Sequence, residues 1–278
     1  MRFLSPAKVN LSLELGRKRP DGYHEIQTLM HRIDLTDEIE IDRQEGEIVL
    51  SVEGEDIPPG PENLAYRAAR SFFRETGIAG GVRIRLRKRI PVAAGLGGGS
   101  SNAATVLMAL NEIFAAEIDD RRLMAWGAAI GADVPFFIFK KPAWAAGKGE
   151  RLRAADLPAD LWFLLMVPPF RVGTAWAYAA YDGLGGDKPA AFSVQKSIKQ
   201  VADLALILSN DLERASAGRH PEIGEMKQRL REQGAAGALM SGSGPVVFGL
   251  FGDPEGMKRA EEKILLPEGW RAIRARGI

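Results

Sequence analysis

Cysteine is absent from this 278-residue chain, which excludes disulfides, thiolate metal sites and cysteine nucleophiles. An excess of charge is lacking as well. Thirty-seven basic residues face 36 acidic ones for a net charge of +1, a balance that gives no support to broad attraction for nucleic acid or an anionic membrane surface. No apolar run approaches the roughly 20 residues that span a bilayer, and the opening Met1-Arg2-Phe3-Leu4-Ser5-Pro6 breaks too early for a secretory leader. Internal repeats and low-complexity tracts are missing too. The rest is ordinary: 46% hydrophobic and 26% charged residues, on a chain long enough for one large domain or two smaller ones. The expectation is a cytoplasmic protein that needs neither nucleic acid nor membrane, with no obligatory protein partner evident.

What stands out is Pro91-Val92-Ala93-Ala94-Gly95-Leu96-Gly97-Gly98-Gly99-Ser100-Ser101-Asn102-Ala103-Ala104. Four glycines fall within five residues, two serines follow, and then come good helix formers. Upstream, Val82, Ile84 and Leu86 alternate with Arg83, Arg85 and Arg87, which predicts a half-buried strand leading into the loop. Strand, glycine loop and helix N-terminus together hold a phosphate. Glycine allows close backbone approach, consecutive N–H groups converge, and the helix dipole favours negative charge.

The rest of the chain reads as β-rich at its start and mixed afterwards. Val9, Leu11, Leu13 and Leu15 alternate with Lys8, Asn10, Ser12 and Glu14, predicting a strand whose polar face, on pattern alone, is solvated. Arg19-Pro20-Asp21-Gly22 signals a turn, and separate strands are predicted over 23–33, 38–42 and 47–52. Asn63 as an N-cap opens a helix that ends near Gly77. Helices over 100–114 and 119–130 follow, the last closed by Gly131, with Pro135 barring its resumption. In the second half, 161–167 is a continuous apolar run suited to a buried strand, and 174–182 and 193–208 read as helices. Pro221 opens a helix to 233, 237–251 reads as strand, glycine turn, strand, Asp253-Pro254 starts a last helix, and 270–275 forms a closing strand. That order predicts an α+β protein with helices packed on antiparallel sheet.

Three phosphate or backbone readings of the loop compete. A P-loop requires a lysine after its last glycine, and none follows here. A dinucleotide fingerprint finds Gly95 and Gly97 but meets Ser100 where a third glycine belongs, and Glu117, the nearest acidic candidate for a ribose, lies in helix or loop. A purely structural turn is an uneconomical use of so many glycines, each of which lowers stability unless close approach requires it.

The loop resembles the central motif of the GHMP small-molecule kinases, the superfamily of galactokinase, homoserine kinase and mevalonate kinase. Two further motifs of that superfamily occur in order, Ser5-Pro6-Ala7-Lys8-Val9-Asn10-Leu11 and Leu239-Met240-Ser241-Gly242-Ser243-Gly244-Pro245. Within it, Asp21-Gly22-Tyr23-His24-Glu25, the Gly97-to-Asn102 form of the loop and Gly131-Ala132-Asp133-Val134-Pro135-Phe136 are similar to the branch that phosphorylates 4-diphosphocytidyl-2-C-methyl-D-erythritol on its 2-hydroxyl in the non-mevalonate isoprenoid route. The resemblance implies a two-domain GHMP kinase fold, with an N-terminal domain like the second domain of ribosomal protein S5 and a ferredoxin-like C-terminal domain. The expected division is an ATP-binding and catalytic domain over 1–155 and a domain over 156–278 that completes the substrate cleft. ATP is the implied co-substrate, Mg²⁺ is expected with it, and the partner is a small molecule carrying a cytidine diphosphate.

Site roles follow by matching motif positions. Asp133 is the expected catalytic base, since an alcohol nucleophile needs an acceptor for its proton. Its competing role is that of a carboxylate satisfying local turn N–H groups. Lys8 is the expected cation, because the loop brings backbone donors but no charged side chain to a transferring phosphoryl. Pro91, Val92, Ala93, Ala94, Gly95, Leu96, Gly97, Gly98, Gly99, Ser100 and Ser101 are the expected ATP-binding residues. The two serines can cap the helix, bond phosphate, or reach Mg²⁺ through water. Asn10, Tyr23 and His24 match positions that hold the cytidine diphosphate, and Tyr178, four residues after Thr174, matches an aromatic that stacks on cytosine. Trp176 competes for that role, though a core position suits it better. No glutamate matches the metal-binding carboxylate of other GHMP kinases, so the metal ligands are unknown. The row Arg83, Arg85, Arg87, Lys88, Arg89 reads as a solvated strand face. A homoserine- or mevalonate-type kinase, an idle ligand sensor on the same fold and a dinucleotide-binding oxidoreductase are the rival functions.

Overall fold

Two long strands open the chain, β1 (Arg2–Lys18) and β2 (His24–Gln44), in a computed structural model that describes residues 1–185 and 198–278. Gly22 takes φ +86° in the turn between them, and Arg19 N–H donates to the Tyr23 carbonyl at 2.6 Å. The separate strands expected over 23–33 and 38–42 are one strand. Asp34-Leu35-Thr36-Asp37 holds neither glycine nor proline, so nothing interrupts the extended backbone. After β3 (Ile48–Glu53) comes α1 (Leu64–Thr76), capped as expected: Asn63 Oδ1 accepts from Ala65 N–H at 3.0 Å, and Gly77, at φ +67°, closes the end. In β4 (Gly81–Arg87) burial alternates strictly, with Val82, Ile84 and Leu86 inside and Arg83, Arg85 and Arg87 exposed.

The glycine loop leads into α2 (Gly98–Ile113), which opens two residues earlier than expected. Helix α3 (Asp120–Ile130) is capped by Asp119. Its end differs from the expectation. Gly131 lies at φ −171°, extended backbone open to any residue, and the chain enters α4 (Val134–Phe139) almost at once. Pro135 stands in the first turn of α4, where its missing N–H had no partner to lose, so this proline starts a helix. The hairpin β5 (Ala143–Gly147) and β6 (Arg151–Ala154) carried no clear alternation in its alanine-rich sequence.

The buried strand β7 (Trp162–Val167) and helix α5 (Thr174–Gly183) fall where expected. Of the helix expected over 193–208, the opening lies outside the described residues, and the described part is the short α6 (Val201–Ala205). Then come β8 (Ser209–Asn210), α7 (Asp211–Arg219), α8 (Glu222–Glu232), β9 (Gly237–Met240), β10 (Val247–Phe251), α9 (Pro254–Lys263) and β11 (Arg271–Arg276). Asn210 caps α7, accepting from Leu212 N–H at 3.0 Å.

The described chain forms two compact units with interleaved segments. One comprises Met1–Ala7, Leu35–Val92 and Gly97–Lys140, the other Lys8–Asp34, Ala93–Leu96 and Lys141–Ile278. Strands β1 and β2 each give one end to each unit. In the first unit the strand order is β3-β4-β2-β1, and α1 packs on α2, whose wide apolar set is buried almost throughout. In the second, β5 pairs with β2 and β6, β8 runs parallel to β1, and a four-stranded antiparallel sheet has the order β11-β7-β10-β9. Its core joins Leu164 and Met166 of β7 to Tyr181, Leu212, Met226 and Leu230 of the helices and to Leu13 and Ile26. Both units are α+β.

Candidate active site

Three residues between 93 and 97 have left-handed backbone: Ala93 (φ 53°), Gly95 (φ 76°) and Gly97 (φ 69°). Such a run is what curls a loop, and alanine adopts it only against steric resistance. Gly97 is also the N-cap of α2. The opening N–H groups of a helix have no intrahelical partner, and Gly97 has no side chain to offer them one. The helix therefore presents uncapped donors and its positive dipole end, a setting for phosphate oxygens.

The two serines stand inside the first turn of α2 and do not cap it. Ser101 is fully buried, its hydroxyl accepting from Ser5 Oγ at 2.8 Å. Ser100 is half-buried, with Oγ 3.6 Å from where a Cβ on Gly131 would stand, beside the Asp133 segment. Beneath the turn lies a closed polar network. Asn102 Nδ2 donates to Ser5 Oγ at 2.9 Å and to Asp37 Oδ2 at 2.8 Å, and Lys88 Nζ donates to Asn102 Oδ1 at 3.2 Å and to Asp37. Asp37 Oδ1 also accepts the N–H groups of Arg89 (2.7 Å) and Ile90 (2.9 Å), pinning the chain just before the loop. Lys88 is thus buried and ion-paired, not part of a solvated arginine row.

In the second unit two distant segments, those of Lys8–Asn10 and of Ser241, meet at the loop's residues 93–96. Lys8 N–H donates to Leu96 O at 3.0 Å, Ser241 Oγ donates to Gly95 O at 2.9 Å, and Asn10 N–H donates to Ser241 Oγ at 3.2 Å. Gly95 is required sterically: a Cβ there would fall 1.9 Å from Ser241 O. Lys8, Asn10 and Ser12 are all buried, which overturns their reading as solvated surface. Lys8 Nζ donates to Asn10 Oδ1, and Asn10 Nδ2 donates to Thr28 Oγ1 at 2.8 Å, so the amide is held from both ends.

His24 is buried, with both ring nitrogens engaged inside the chain: Nδ1 lies 3.0 Å from Gly16 O and Nε2 2.8 Å from Asp182 Oδ1. Its ring therefore has no nitrogen left to hold the cytidine diphosphate directly, and the expected contact of the His24 side chain does not fit this arrangement. Tyr178 lies beside it, with ring centroids 5.8 Å apart and planes at 33°. Tyr23 is exposed, with Lys148 Nζ 4.7 Å from its ring centroid. Trp176 packs against the core under Arg219, 4.9 Å from its ring.

Asp133 is the N-cap residue of α4, yet its carboxylate accepts none of that helix's N–H groups. It is half-buried and followed by the buried run Val134, Pro135, Phe136, Phe137 and Ile138. Among the described residues no group of three or more His, Cys, Asp or Glu side chains is placed to hold a metal ion.

Comparison with known proteins gives the family. Residues 63–141 match the model for the GHMP kinases N terminal domain, and residues 190–266 match that for the GHMP kinases C terminal. A 4-diphosphocytidyl-2-C-methyl-D-erythritol kinase of Geobacter metallireducens is 46% identical over 278 residues, covering 99% of this chain and 97% of that protein. The chain belongs to the GHMP kinase family. A kinase of the same name from Syntrophus aciditrophicus is 46% identical over 279 residues, 100% of this chain and 99% of its own. The crystal structure of a 4-(cytidine 5'-diphospho)-2C-methyl-D-erythritol kinase superposes with a TM-score of 0.80 at 39% identity, covering 100% of this chain and 99% of that one.

Two members of this GHMP kinase site escaped the sequence reading. Lys88 continues the register of Val82, Ile84 and Leu86, so the period of two already placed it on the inward face. Asp37 carried no local signal. Its partners Lys88, Arg89, Ile90 and Asn102 are more than 50 residues away, and only the fold assembles them.

Proposed function

We propose that this GHMP kinase transfers the γ-phosphoryl group of ATP to the 2-hydroxyl of 4-diphosphocytidyl-2-C-methyl-D-erythritol, giving the 2-phosphate and ADP in the non-mevalonate isoprenoid route. The observation that carries the reading is the convergence of Lys8, Asn10 and Ser241 on the glycine loop, joined to full-length similarity with kinases of that name. Residues 91–101 hold the ATP phosphates through backbone N–H groups. Asp133 accepts the hydroxyl proton as the oxygen attacks the γ-phosphorus and the bond to the ADP oxygen breaks. Lys8 neutralises charge on the transferring group. Mg²⁺ would accompany the nucleotide and offset charge on its phosphates, and the Ser100 hydroxyl in the first turn of α2 is the loop side chain that would face it. Asn10, Tyr23 and Tyr178 make the cytidine end, with the buried His24 ring packed beside Tyr178, and the functional division is 1–155 for nucleotide and catalysis and 156–278 for the remaining part of the substrate site. The protein works in the cytoplasm; no helix of the described residues is long and apolar enough to cross a membrane.

The test is ADP release from Mg-ATP with a panel of acceptors. The cytidyl methylerythritol substrate should support turnover, and homoserine and mevalonate should not. Asp133→Asn should lower kcat at least about 100-fold with the fold intact, the low end for a positioned base. Near-normal turnover by that variant would remove Asp133 from the role, and turnover with homoserine or mevalonate would move the substrate assignment.

A further inference from the structure

We propose that Asp182 is a positioning residue for the cytidine end of the substrate, acting through His24 to hold Tyr178 in its stacking pose. The proposal rests on the assignment of Tyr178 to that end.

Asp182 follows Tyr178 by four residues on α5, so the two share a helix face. One carboxylate oxygen meets Lys18 Nζ at 2.5 Å, and the other meets His24 Nε2 at 2.8 Å. The first contact is half-exposed, the kind of ion pair that contributes little. The second is different, because the His24 ring is 3% exposed and a nitrogen left unpaired there is costly. The two contacts, the Lys18 hydrogen bond foremost, hold the Asp182 carboxyl below its ordinary range, so it stays an acceptor.

The His24 ring is pinned at four places. Gly16 O and Asp182 take its nitrogens, Tyr178 lies along one side, and Tyr181 meets it edge-on with centroids 5.8 Å apart and planes at 81°. Gly16 O alone leaves the ring free to rotate about that single bond. Asp182 removes the freedom and at the same time ties α5, which carries Tyr178, to the start of β2, which opens with His24 just after Tyr23. It works as a latch between the two sequence segments assigned to the base.

The experiment is steady-state kinetics on the full chain, with the cytidyl substrate and ATP varied separately, for Asp182→Ala, Asp182→Asn, His24→Ala and the His24→Ala/Asp182→Ala double variant. Asp182→Ala should raise KM for the cytidyl substrate about tenfold while kcat and the KM for ATP stay within about twofold. Asp182→Asn keeps an acceptor oxygen and should stay within about threefold of the parent, which also separates positioning from a folding defect. The double variant should be no worse than His24→Ala, as expected when one residue acts through another. An unchanged cytidyl KM in Asp182→Ala, a parallel rise in the KM for ATP, or additive single effects would overturn the proposal while leaving the kinase reading intact. A parent protein with no turnover on the cytidyl substrate would remove both.

Discussion

Strands β1 and β4 carry the same signal and meet opposite fates. Each alternates apolar residues with polar ones headed by cations. On β4 the polar face is open: Arg85 reaches Glu40 at 2.8 Å and Asp42 at 3.0 Å, and Arg87 reaches Glu53 and Glu38, both at 3.1 Å, all as exposed or partly exposed pairs. On β1 the polar face is closed, with Lys8, Asn10 and Ser12 buried and each hydrogen-bonded. The period of two tells that two faces differ. It does not tell that the polar one meets water, because a second layer can cover it when polar partners come with that layer. A buried polar face is costly unless satisfied, and here its residues are those assigned to the proposed site.

The sharpest way to break this contrast is Asp37→Ala. It strands the Lys88 ammonium and three N–H donors in the interior, with an expected loss of about 3–5 kcal/mol in denaturant unfolding. A loss under about 1 kcal/mol would mean that the network beneath α2 is not what holds the turn. Next comes Lys8→Met, which should leave the fold in place and lower kcat about 10²–10³-fold, the range for removing one preorganised donor to a developing charge. If its turnover matched the parent's, the closed face of β1 would be packing and nothing more.

His31 sharpens the comparison from another side, as a buried polar group that takes no part in the proposed site. Its Nδ1 has no partner among the described residues, and burial foremost, with the neighbouring Arg32 charge, pushes its pKa from 6.5 down to about 4. Between those values the unfolded chain takes up a proton that the folded ring refuses. Stability should therefore fall by about 3 kcal/mol as pH drops from about 6.5 to about 4. Comparing chemical denaturation of the parent and His31→Leu across that window checks it: the variant should lose this part of the slope, and equal slopes would discount burial as its cause. The smallest effect is expected on the open face. Arg85→Ala should leave both the denaturation midpoint and turnover at parent values, and a measurable drop in either would show that the arginine row does more than face solvent.

Much of this layout was legible in the chain. The caps Asn63 and Gly77, the buried strand β7 and the strand-turn-strand around 241–245 follow from local rules of capping, apolar run length and glycine placement. Pro135 was misjudged because a proline reads the same whether it blocks one helix or begins the next, and the difference is set by α4 packing beneath α2 and α3. His24 could be matched to a motif position, but its partners Gly16 and Asp182 could not, since the second lies 158 residues away.

The sequence by itself determined most of the elements, the fold class and the presence of a glycine loop suited to phosphate, because helix caps, periodicity and glycine conformations are decided within a few residues. Only the tertiary structure decided which polar residues are interior. Whether Lys8 meets water or Leu96, whether Asn10 meets water or Ser241, and whether Lys88 is solvated or locked to Asp37, depends on residues brought together from far along the chain, and hydrogen bonding there outweighs the residue's own affinity for solvent.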